Sequence, residues 1–200
     1  GSEGAVVGVH GEWGGAKTSF INLARDELAR RGLAIIDYNP WMFSGTPQLV
    51  DSFFVELSAQ LQLSDRYAAI GKSLEEYGEA FSGLTWLPLV GAWVERGRLA
   101  AKTLGAILSR RKEGVTSKRE RVVESLALLN VPIVVVIDDI DRLTTAEICE
   151  VFKLVRLTAS FPNIVYLLAF DRQRVEHALG EEGVPGRAYL EKILQIAIDL

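Results

Sequence analysis

The amino-acid sequence predicts an α/β fold in which helices cover both faces of a parallel sheet, giving three layers. Two observations lead to this prediction: short apolar segments recur along the chain, and segments with helical periodicity separate them. Strands that are apolar at nearly every position are typical of parallel sheets, because both faces of such strands are buried. The composition agrees, since 48% of the 200 residues are hydrophobic and 24% are charged, as in ordinary globular domains.

The individual elements follow from these patterns. Apolar runs predict strands at residues 5–9, 33–38, 132–137 and 164–170, and the run at 190–198 predicts a helix leading into a strand. Helical spacing predicts helices at 17–31, 47–63, 121–129, 145–160 and 172–179. On the first of these helices Phe20, Leu23, Ala24 and Leu28 share one side, which we expect to face the sheet.

Charge and cysteine content exclude several classes of protein. The net charge is −4, so the chain gives no basic signal for nucleic acid, and we expect no nucleic-acid partner. The single cysteine, Cys149, cannot form an internal disulfide, and no His/Cys spacing typical of a metal site is present. These features fit a cytoplasmic location. Gly1 and Ser2 are typical of residues left by cloning, and we expect the chain to be part of a longer protein.

Residues 64–121 have no strand pattern, and we predict that they form a helical insertion between two parts of the core, 3–63 and 122–200. The uncharged stretch 81–94 has 14 residues, whereas about 20 are needed to span a bilayer. Residues 95–121 then carry nine basic and three acidic side chains. Two interpretations stay open for 81–121: a segment that lies on an anionic membrane surface, or helices packed on the domain with a solvated basic face.

A glycine-rich segment between the first strand and the first helix has the context of a phosphate-binding loop, or P-loop. Backbone N–H groups of such a loop surround phosphate oxygens, and the helix N-terminus adds partial positive charge. Lys17 is expected to reach the β- and γ-phosphates as a catalytic residue, and the Thr18 hydroxyl to bind Mg²⁺. The predicted nucleotide-binding residues are Gly11, Glu12, Trp13, Gly14, Gly15, Ala16, Lys17, Thr18 and Ser19.

The loop departs from the G-x-x-x-x-G-K-[ST] pattern at one position, because Ala16 stands where glycine is expected. Glycine is used where the backbone approaches phosphate closely or takes a positive φ. The Ala16 methyl group is therefore expected to crowd the nucleotide or to cost on the order of 1 kcal/mol of strain. A strand-to-helix turn that only needs glycines is the alternative interpretation of the segment.

A second motif follows the most apolar predicted strand, where the sequence reads Asp138-Asp139-Ile140-Asp141-Arg142. An acid delivered by a buried strand is a Walker B arrangement, in which Asp138 is expected to hold Mg²⁺. Asp139 occupies the position of a carboxylate that activates the attacking water. Arg142 is a candidate catalytic residue that neutralises these acids or acts as an arginine finger on a neighbouring subunit, and the alternative is a structural salt bridge.

Two more polar side chains, Asn39 and Asp171, follow predicted strands. The carboxyl ends of parallel strands share one edge of the sheet, where open α/β folds bind ligands. Asp171 therefore has the position of a γ-phosphate sensor, but a helix N-cap before 172–179 explains it equally well.

Five segments together resemble the KAP family of P-loop NTPases, in order along nearly the whole chain outside 64–121. The segments are GEWGGAKTSFINLA, DYNPWMFSG, VVVIDDIDRL, IVYLLAFDR and YLEKILQIAIDL. The resemblance implies a five-stranded parallel sheet in the order 5-1-4-3-2 and implies ATP with Mg²⁺ as ligands. Family members carry membrane-spanning helices where this chain has 64–121. Pattern residues carry over to Gly11, Gly14, Lys17, Thr18, Asp138, Asp139, Asp141 and Arg142.

Bacterial members of the family are associated with phage exclusion and defence. We therefore expect a domain that binds and hydrolyses ATP and acts as a conformational or oligomeric switch, with homo- or hetero-oligomeric protein partners. The alternative is a scaffold that is insensitive to nucleotide or locked with ATP, at a membrane surface on the cytoplasmic side. Ala16 and the tryptophan-bearing insertion favour that alternative.

Overall fold

A computed structural model describes residues 4–11, 15–45, 49–85, 100–180 and 185–200, and for 81–85 and 100–113 it describes the backbone alone. Five parallel strands form one sheet in the order β2-β3-β4-β1-β5. This is the order that the resemblance implies, counted from the opposite edge, and it confirms the α/β prediction. The strands are β1 (Ala5–His10), β2 (Ala34–Tyr38), β3 (Ile133–Ile137), β4 (Ile164–Phe170) and β5 (Ile196–Asp199).

Helices connect the strands, and two short 3₁₀ turns follow β2 and β3. We refer to Pro40–Phe43 as the Trp41 turn and to Ile140–Arg142 as the Asp141 turn. The helices are α1 (Lys17–Arg30), α2 (Leu49–Gln62), α3 (Ala68–Thr85), α4 (Ala100–Ala127), α5 (Thr145–Thr158), α6 (Arg172–Leu179) and α7 (Gly186–Ile193).

The core lies on both faces of the sheet, because strand side chains alternate between the two faces. β3 is buried at all five positions. Its residues Ile133, Val135 and Ile137 join a larger cluster with side chains of α2, α5 and α7, whereas Val134 and Val136 pack against α1. Burial on both faces explains why an almost wholly apolar segment forms this strand.

One predicted contact on α1 is wrong. Leu23 is 71% exposed, and Ile21 is the fully buried side chain of this helix. Phe20, Ala24 and Leu28 do pack toward the sheet as predicted. The apolar side of the helix is therefore centred between Phe20, Ile21 and Ala24, which turns Leu23 toward solvent.

Helices also occupy most of the predicted insertion, 64–121. Helix α3 packs on α2, and α4 packs on α3. The helix predicted at 121–129 is the end of the much longer α4, which stops at Ala127. Within the described ranges, no helix has the length and apolar character needed to cross a membrane. Most of the stretch 81–94 lies outside the described residues, and the domain boundaries stay a prediction.

Candidate nucleotide-binding site

The predicted site residues meet at the carboxyl edge of the sheet, where β1 and β3 end. A cavity of about 300 Å³ opens there, and residues of the first motif and of the second motif line it together. The lining residues are Gly15, Ala16, Lys17, Thr18, Ser19, Asp138, Asp139, Asp141 and Arg142. Glu12, Trp13 and Gly14 lie outside the described residues, so their predicted contacts stay a prediction.

The described part of the loop turns directly into α1. Lys17 is the first residue of the helix, and its Nζ donates a hydrogen bond to the Gly11 carbonyl, 2.9 Å away. This contact joins the first turn of α1 to the residue that follows β1. Because Lys17 faces the cavity, its ammonium group lies where a phosphate chain bound by the loop would meet it.

Ala16 has the backbone conformation that its position predicts for glycine. Its φ is 58° and its ψ is 13°, which is left-handed, and the side chain is exposed. An L-residue with a Cβ pays on the order of 1–2 kcal/mol in this region. The strain expected from the sequence is therefore present.

Thr18 and Asp138 are in direct contact, although they lie 120 residues apart in the chain. The Thr18 hydroxyl donates to Asp138 Oδ2 at 3.2 Å, and Asp138 Oδ1 accepts the Asp139 N–H at 2.7 Å. Thr18 is held by the first turn of α1, and Asp138 follows β3 directly. Two oxygen donors of separate elements thus lie side by side.

These two oxygens suit Mg²⁺. Mg²⁺ in phosphate-binding sites is usually held by one or two protein oxygens, with water and substrate phosphates as the other ligands. Among the residues with described side chains, no cluster of three or more His, Cys, Asp or Glu side chains that could hold a metal is present. A cation held by Thr18 and Asp138 would complete its coordination with phosphate oxygens and water.

Asp139 has a left-handed backbone, with φ 59°, and several polar neighbours. Arg142 Nε contacts Asp139 Oδ1 at 2.9 Å, so the structural salt bridge considered for Arg142 is present. Partial burial and the neighbouring Asp138 charge raise the pKa of Asp139, and the Arg142 guanidinium and the nearby Asn39 amide offset part of that rise.

Asp141 and Asp171 differ in where they lie relative to the cavity. Asp141 is only 6% exposed, yet it lines the cavity beside Asp138. Asp171 instead caps α6, because its Oδ1 accepts the Arg174 N–H at 3.0 Å. It lines a separate cavity that reaches Gly11. The N-cap interpretation of Asp171 is thus observed, and a sensor role stays a prediction.

Glu147 is a buried polar residue that the sequence interpretation missed. It accepts hydrogen bonds from Ser44 Oγ, Gly45 N and Thr144 N at 3.0, 2.6 and 2.8 Å. It thereby ties the residues after the Trp41 turn to α5. Burial acts to raise the pKa of Glu147, but these hydrogen bonds outweigh it and lower the pKa to about 2. The Thr144-x-x-Glu147 spacing, a capping box, is the signal that predicts part of this network.

Comparisons with known proteins agree with this geometry. The family model described as "KAP family P-loop domain" matches residues 2–200. The chain is similar to the phage T7 exclusion protein of Escherichia coli (strain K12), with 31% identity over 225 residues. That match covers 98% of this chain but only 30% of the relative, so the chain spans less than a third of that protein's length. The chain belongs to the KAP family, and the residues gathered at the carboxyl edge of its sheet lie in a P-loop domain of that family.

Proposed function

We propose that this domain binds ATP together with Mg²⁺, hydrolyses the ATP, and changes conformation or oligomeric state as it does so. The observation that carries the proposal is the contact between Thr18 Oγ1 and Asp138 Oδ2 at 3.2 Å, beside Lys17. A hydroxyl from the loop and a carboxylate from a buried strand are the two protein ligands that nucleotide-bound Mg²⁺ takes in P-loop proteins.

Phosphate binding would use groups that the structure already aims at the cavity. The first N–H groups of α1 point toward its N-terminal end, and the helix dipole favours negative charge there. Lys17 would exchange its bond to the Gly11 carbonyl for the β- and γ-phosphate oxygens. When bound, Mg²⁺ would be held by Thr18 and Asp138 and would neutralise developing charge on the phosphates.

Hydrolysis is assigned to Asp139, which lines the same cavity. Its carboxylate would orient a water molecule whose oxygen forms a bond to the γ-phosphorus. The bond between the γ-phosphorus and the bridging oxygen breaks, and the electron pair stays with ADP. The water proton passes to Asp139 and then to inorganic phosphate, so Asp139 returns to its starting state.

A place in phage exclusion follows by analogy with the relative described above. That relative is named phage T7 exclusion protein, and this chain corresponds to less than a third of its length. We propose that the domain supplies a nucleotide-dependent step to a larger assembly with such a role. Arg142 is 43% exposed at its side chain and lines the cavity, so it could also reach the nucleotide of a second subunit.

Calorimetric titration with Mg-ATP tests this proposal directly. We expect the unchanged chain to bind, Lys17→Ala to bind at least tenfold more weakly, which corresponds to about 1.4 kcal/mol, and Asp139→Asn to bind normally. Phosphate release should be measurable in the unchanged chain and lost in Asp139→Asn. Equal ATP affinity in the chain and in Lys17→Ala would refute the assignment of the loop.

A second candidate function is a scaffold that does not respond to nucleotide, and the strained backbone of Ala16 favours it. Binding of Mg-ATP by Ala16→Gly but not by the unchanged chain would support the scaffold.

The proposed location of 81–121 at an anionic membrane surface concerns side chains that are mostly not described. Co-sedimentation with anionic vesicles at low salt tests it, because electrostatic attraction is strongest there.

A further inference from the structure

The Trp41 turn presents an exposed tryptophan from a backbone that is fixed on both sides. Trp41 is 49% exposed. Its N–H donates to Asn39 Oδ1 at 3.1 Å, and its carbonyl accepts the Ser44 N–H at 3.2 Å. Ser44 and Gly45 in turn donate to the buried Glu147. The Trp41 backbone therefore has a fixed position relative to α5, which carries Glu147.

The Trp41 ring contacts Arg142, which belongs to the Asp141 turn. The Arg142 guanidinium carbon lies 5.8 Å from the centre of the ring, within the distance of about 6 Å at which a cation and an aromatic face attract each other. Arg142 Nε also contacts Asp139 Oδ1 at 2.9 Å. A guanidinium can do both at once, because its flat face stacks on a ring while the N–H groups at its edge donate. Two partners of different kinds thus restrict a side chain that is otherwise long and flexible.

The same guanidinium lines the candidate nucleotide cavity. Arg142 shares this cavity with Lys17, Thr18 and Asp138. An arginine fork suits phosphate oxygens, and a side chain that is already restricted loses less conformational entropy when it meets them. Trp41 is not one of the described residues that line the cavity. It therefore bears on the site through Arg142 and not through a ligand contact of its own.

The contacts of Arg142 also indicate which nucleotide it serves. An arginine that acts on a second subunit's nucleotide has to extend away from its own cavity. Arg142 instead turns back to Asp139, three residues earlier in the chain, and lies over the Trp41 ring. To reach a second subunit it would lose both contacts. This arrangement favours action on the nucleotide that the same chain binds.

We propose that Trp41 is a positioning residue that holds Arg142 in the chain's own cavity, where the guanidinium stabilises charge developing on the phosphates of the nucleotide bound there. This inference rests on the proposed function, because it needs ATP hydrolysis at the same site. It differs from a purely structural role of Trp41, since it predicts an effect on the rate and not on nucleotide affinity.

The kinetic test compares Trp41→Phe and Trp41→Leu with the unchanged chain. Phenylalanine keeps an aromatic face for the guanidinium, whereas leucine keeps an apolar side chain without one. We expect Trp41→Leu to lower kcat by roughly two- to fivefold, the factor that corresponds to one exposed cation–π contact, and Trp41→Phe to keep most of the rate. The calorimetric Kd for Mg-ATP should stay within about twofold in both variants, because the contact acts on the transition state.

Met42→Ala is the matched control. Met42 is the next residue of the same turn and is 74% exposed, and its backbone N–H donates to the Asn39 carbonyl, a bond that alanine preserves. We expect its kcat to equal that of the unchanged chain. An unchanged kcat in Trp41→Leu, or an equal fall in Trp41→Leu and Trp41→Phe, would overturn the proposal.

Coexpression of two variants tests which nucleotide Arg142 serves. Lys17→Ala lacks the phosphate-binding lysine but keeps Arg142, and Arg142→Ala keeps the loop but lacks the guanidinium. We expect each variant to hydrolyse ATP at least roughly tenfold more slowly than the unchanged chain, and the coexpressed pair to reach only the average of the two. Recovery of activity in the pair would mean that Arg142 acts on a second subunit, and it would overturn the assignment to the same chain.

A second measurement needs no nucleotide and separates this inference from the proposed function. Melting temperatures of Trp41→Leu, Arg142→Ala and the double variant should depart from additivity by roughly 1–4 °C, because the two side chains share one contact. Additive shifts would overturn the proposal whether or not ATP is hydrolysed. Non-additive shifts without hydrolysis in the unchanged chain would confirm the contact and refute the proposed function, on which the role of Arg142 rests.

Discussion

Ala16 combines a side chain and a backbone conformation that rarely occur together. With φ at 58°, its Cβ is strained, and glycine would relieve that strain. We predict that Ala16→Gly stabilises the domain by about 1 kcal/mol. This is the net effect of relieving the backbone strain and of the greater conformational freedom that glycine has in the unfolded chain. Urea unfolding measures the difference, and calorimetry should show tighter binding of Mg-ATP.

Ala29→Gly is the control for that prediction. Ala29 is exposed and lies in the last turn of α1, where glycine costs part of the roughly 1 kcal/mol that it costs in a helix interior relative to alanine. The two substitutions are chemically identical and should have opposite signs. A loss of stability in Ala16→Gly would mean that the loop does not hold this residue in the left-handed region.

Glu147 should make stability depend on pH in a defined window. Its pKa is lowered from 4.5 to about 2 in the folded chain. The stabilisation is therefore complete above the unfolded value and disappears as the pH falls from about 4.5 to about 2. We predict that Glu147→Gln costs about 1–3 kcal/mol at pH 7, because the new amide places a donor against backbone N–H groups.

Unfolding at pH 7 and at pH 3 measures this dependence. The difference between the unchanged chain and Glu147→Gln should shrink at pH 3, where Glu147 of the unfolded chain takes up a proton while Glu147 of the folded chain stays largely ionised. Glu191→Gln removes an exposed pair with Arg187 and serves as the control, with little expected effect at either pH. A difference that stays constant between the two pH values would contradict the prediction.

At the scale of the residue, the sequence predicts chemistry better than orientation. The Ala16 strain and the approach of Thr18 to Asp138 follow from motif spacing. The placement of Asn39 beside the end of β3 does not, because it depends on β2 and β3 being neighbours, and no local pattern near Asn39 predicts that pairing. Leu23 was misplaced because an apolar residue at the border of a helix face can turn to either side.

At the scale of the element, two glycines set the distance between α2 and α3. A Cβ at Gly71 would lie 2.8 Å from the Ser58 carbonyl, and one at Gly78 would lie 2.4 Å from Phe54 Cβ. Both helices are close-packed at these points, so there is no room for a methyl group. We predict that Gly78→Ala destabilises the domain by about 1–3 kcal/mol, the usual cost of overpacking.

Gly114→Ala is the matched control, since Gly114 lies in α4 and a Cβ there meets nothing within 4 Å. This substitution should instead stabilise the helix by up to about 1 kcal/mol. For a chain of this size each kcal/mol moves the melting temperature by roughly 2–4 °C, so thermal unfolding separates the two. Equal shifts in both variants would show that α2 and α3 do not pack this closely.

The predicted strands agree with the observed ones because each is buried on both faces, which leaves an uninterrupted apolar run. Helix boundaries are less well predicted in 64–121. The helix expected at 121–129 is the last part of α4, whose Ala100–Ala127 span includes Gly114 and many charged residues. A glycine and many charged residues weaken the hydrophobic periodicity by which a helix is predicted. The helix still continues through them, because packing against a neighbouring helix stabilises it.

At the scale of the whole molecule, the site exists only when the sheet is complete. Thr18 and Asp138 are 120 residues apart in the chain. They meet because β4 pairs with both β1 and β3, which brings the two strand ends to one edge. Local patterns predict each strand, but the order came from resemblance to a family, since pairing between distant strands leaves no short-range signature.

This dependence leads to a prediction about stability and ligand together. If Mg-ATP binds only the folded chain, saturation at 100 times Kd should stabilise it by about 2.7 kcal/mol. The melting temperature should then rise by roughly 5–10 °C, given the usual 2–4 °C per kcal/mol at this size. At the same ligand concentration Lys17→Ala should show at most about half that rise, because tenfold weaker binding leaves about 1.4 kcal/mol of stabilisation. Asp138→Ala should also show a smaller rise, because one of the two protein oxygens is gone.

Removal of magnesium provides the decisive comparison. With EDTA in place of Mg²⁺, ATP should lose most of its effect on the unchanged chain, since the phosphate charges are then neutralised by Lys17 and the helix N-terminus alone. An ATP-dependent rise of equal size with Mg²⁺ and with EDTA would leave the Thr18–Asp138 contact as an ordinary hydrogen bond between two elements. A rise in melting temperature that needs Mg²⁺ and vanishes in Asp138→Ala would show that Thr18 and Asp138 hold the cation. Nucleotide binding would then stabilise the sheet through the two elements that carry these residues.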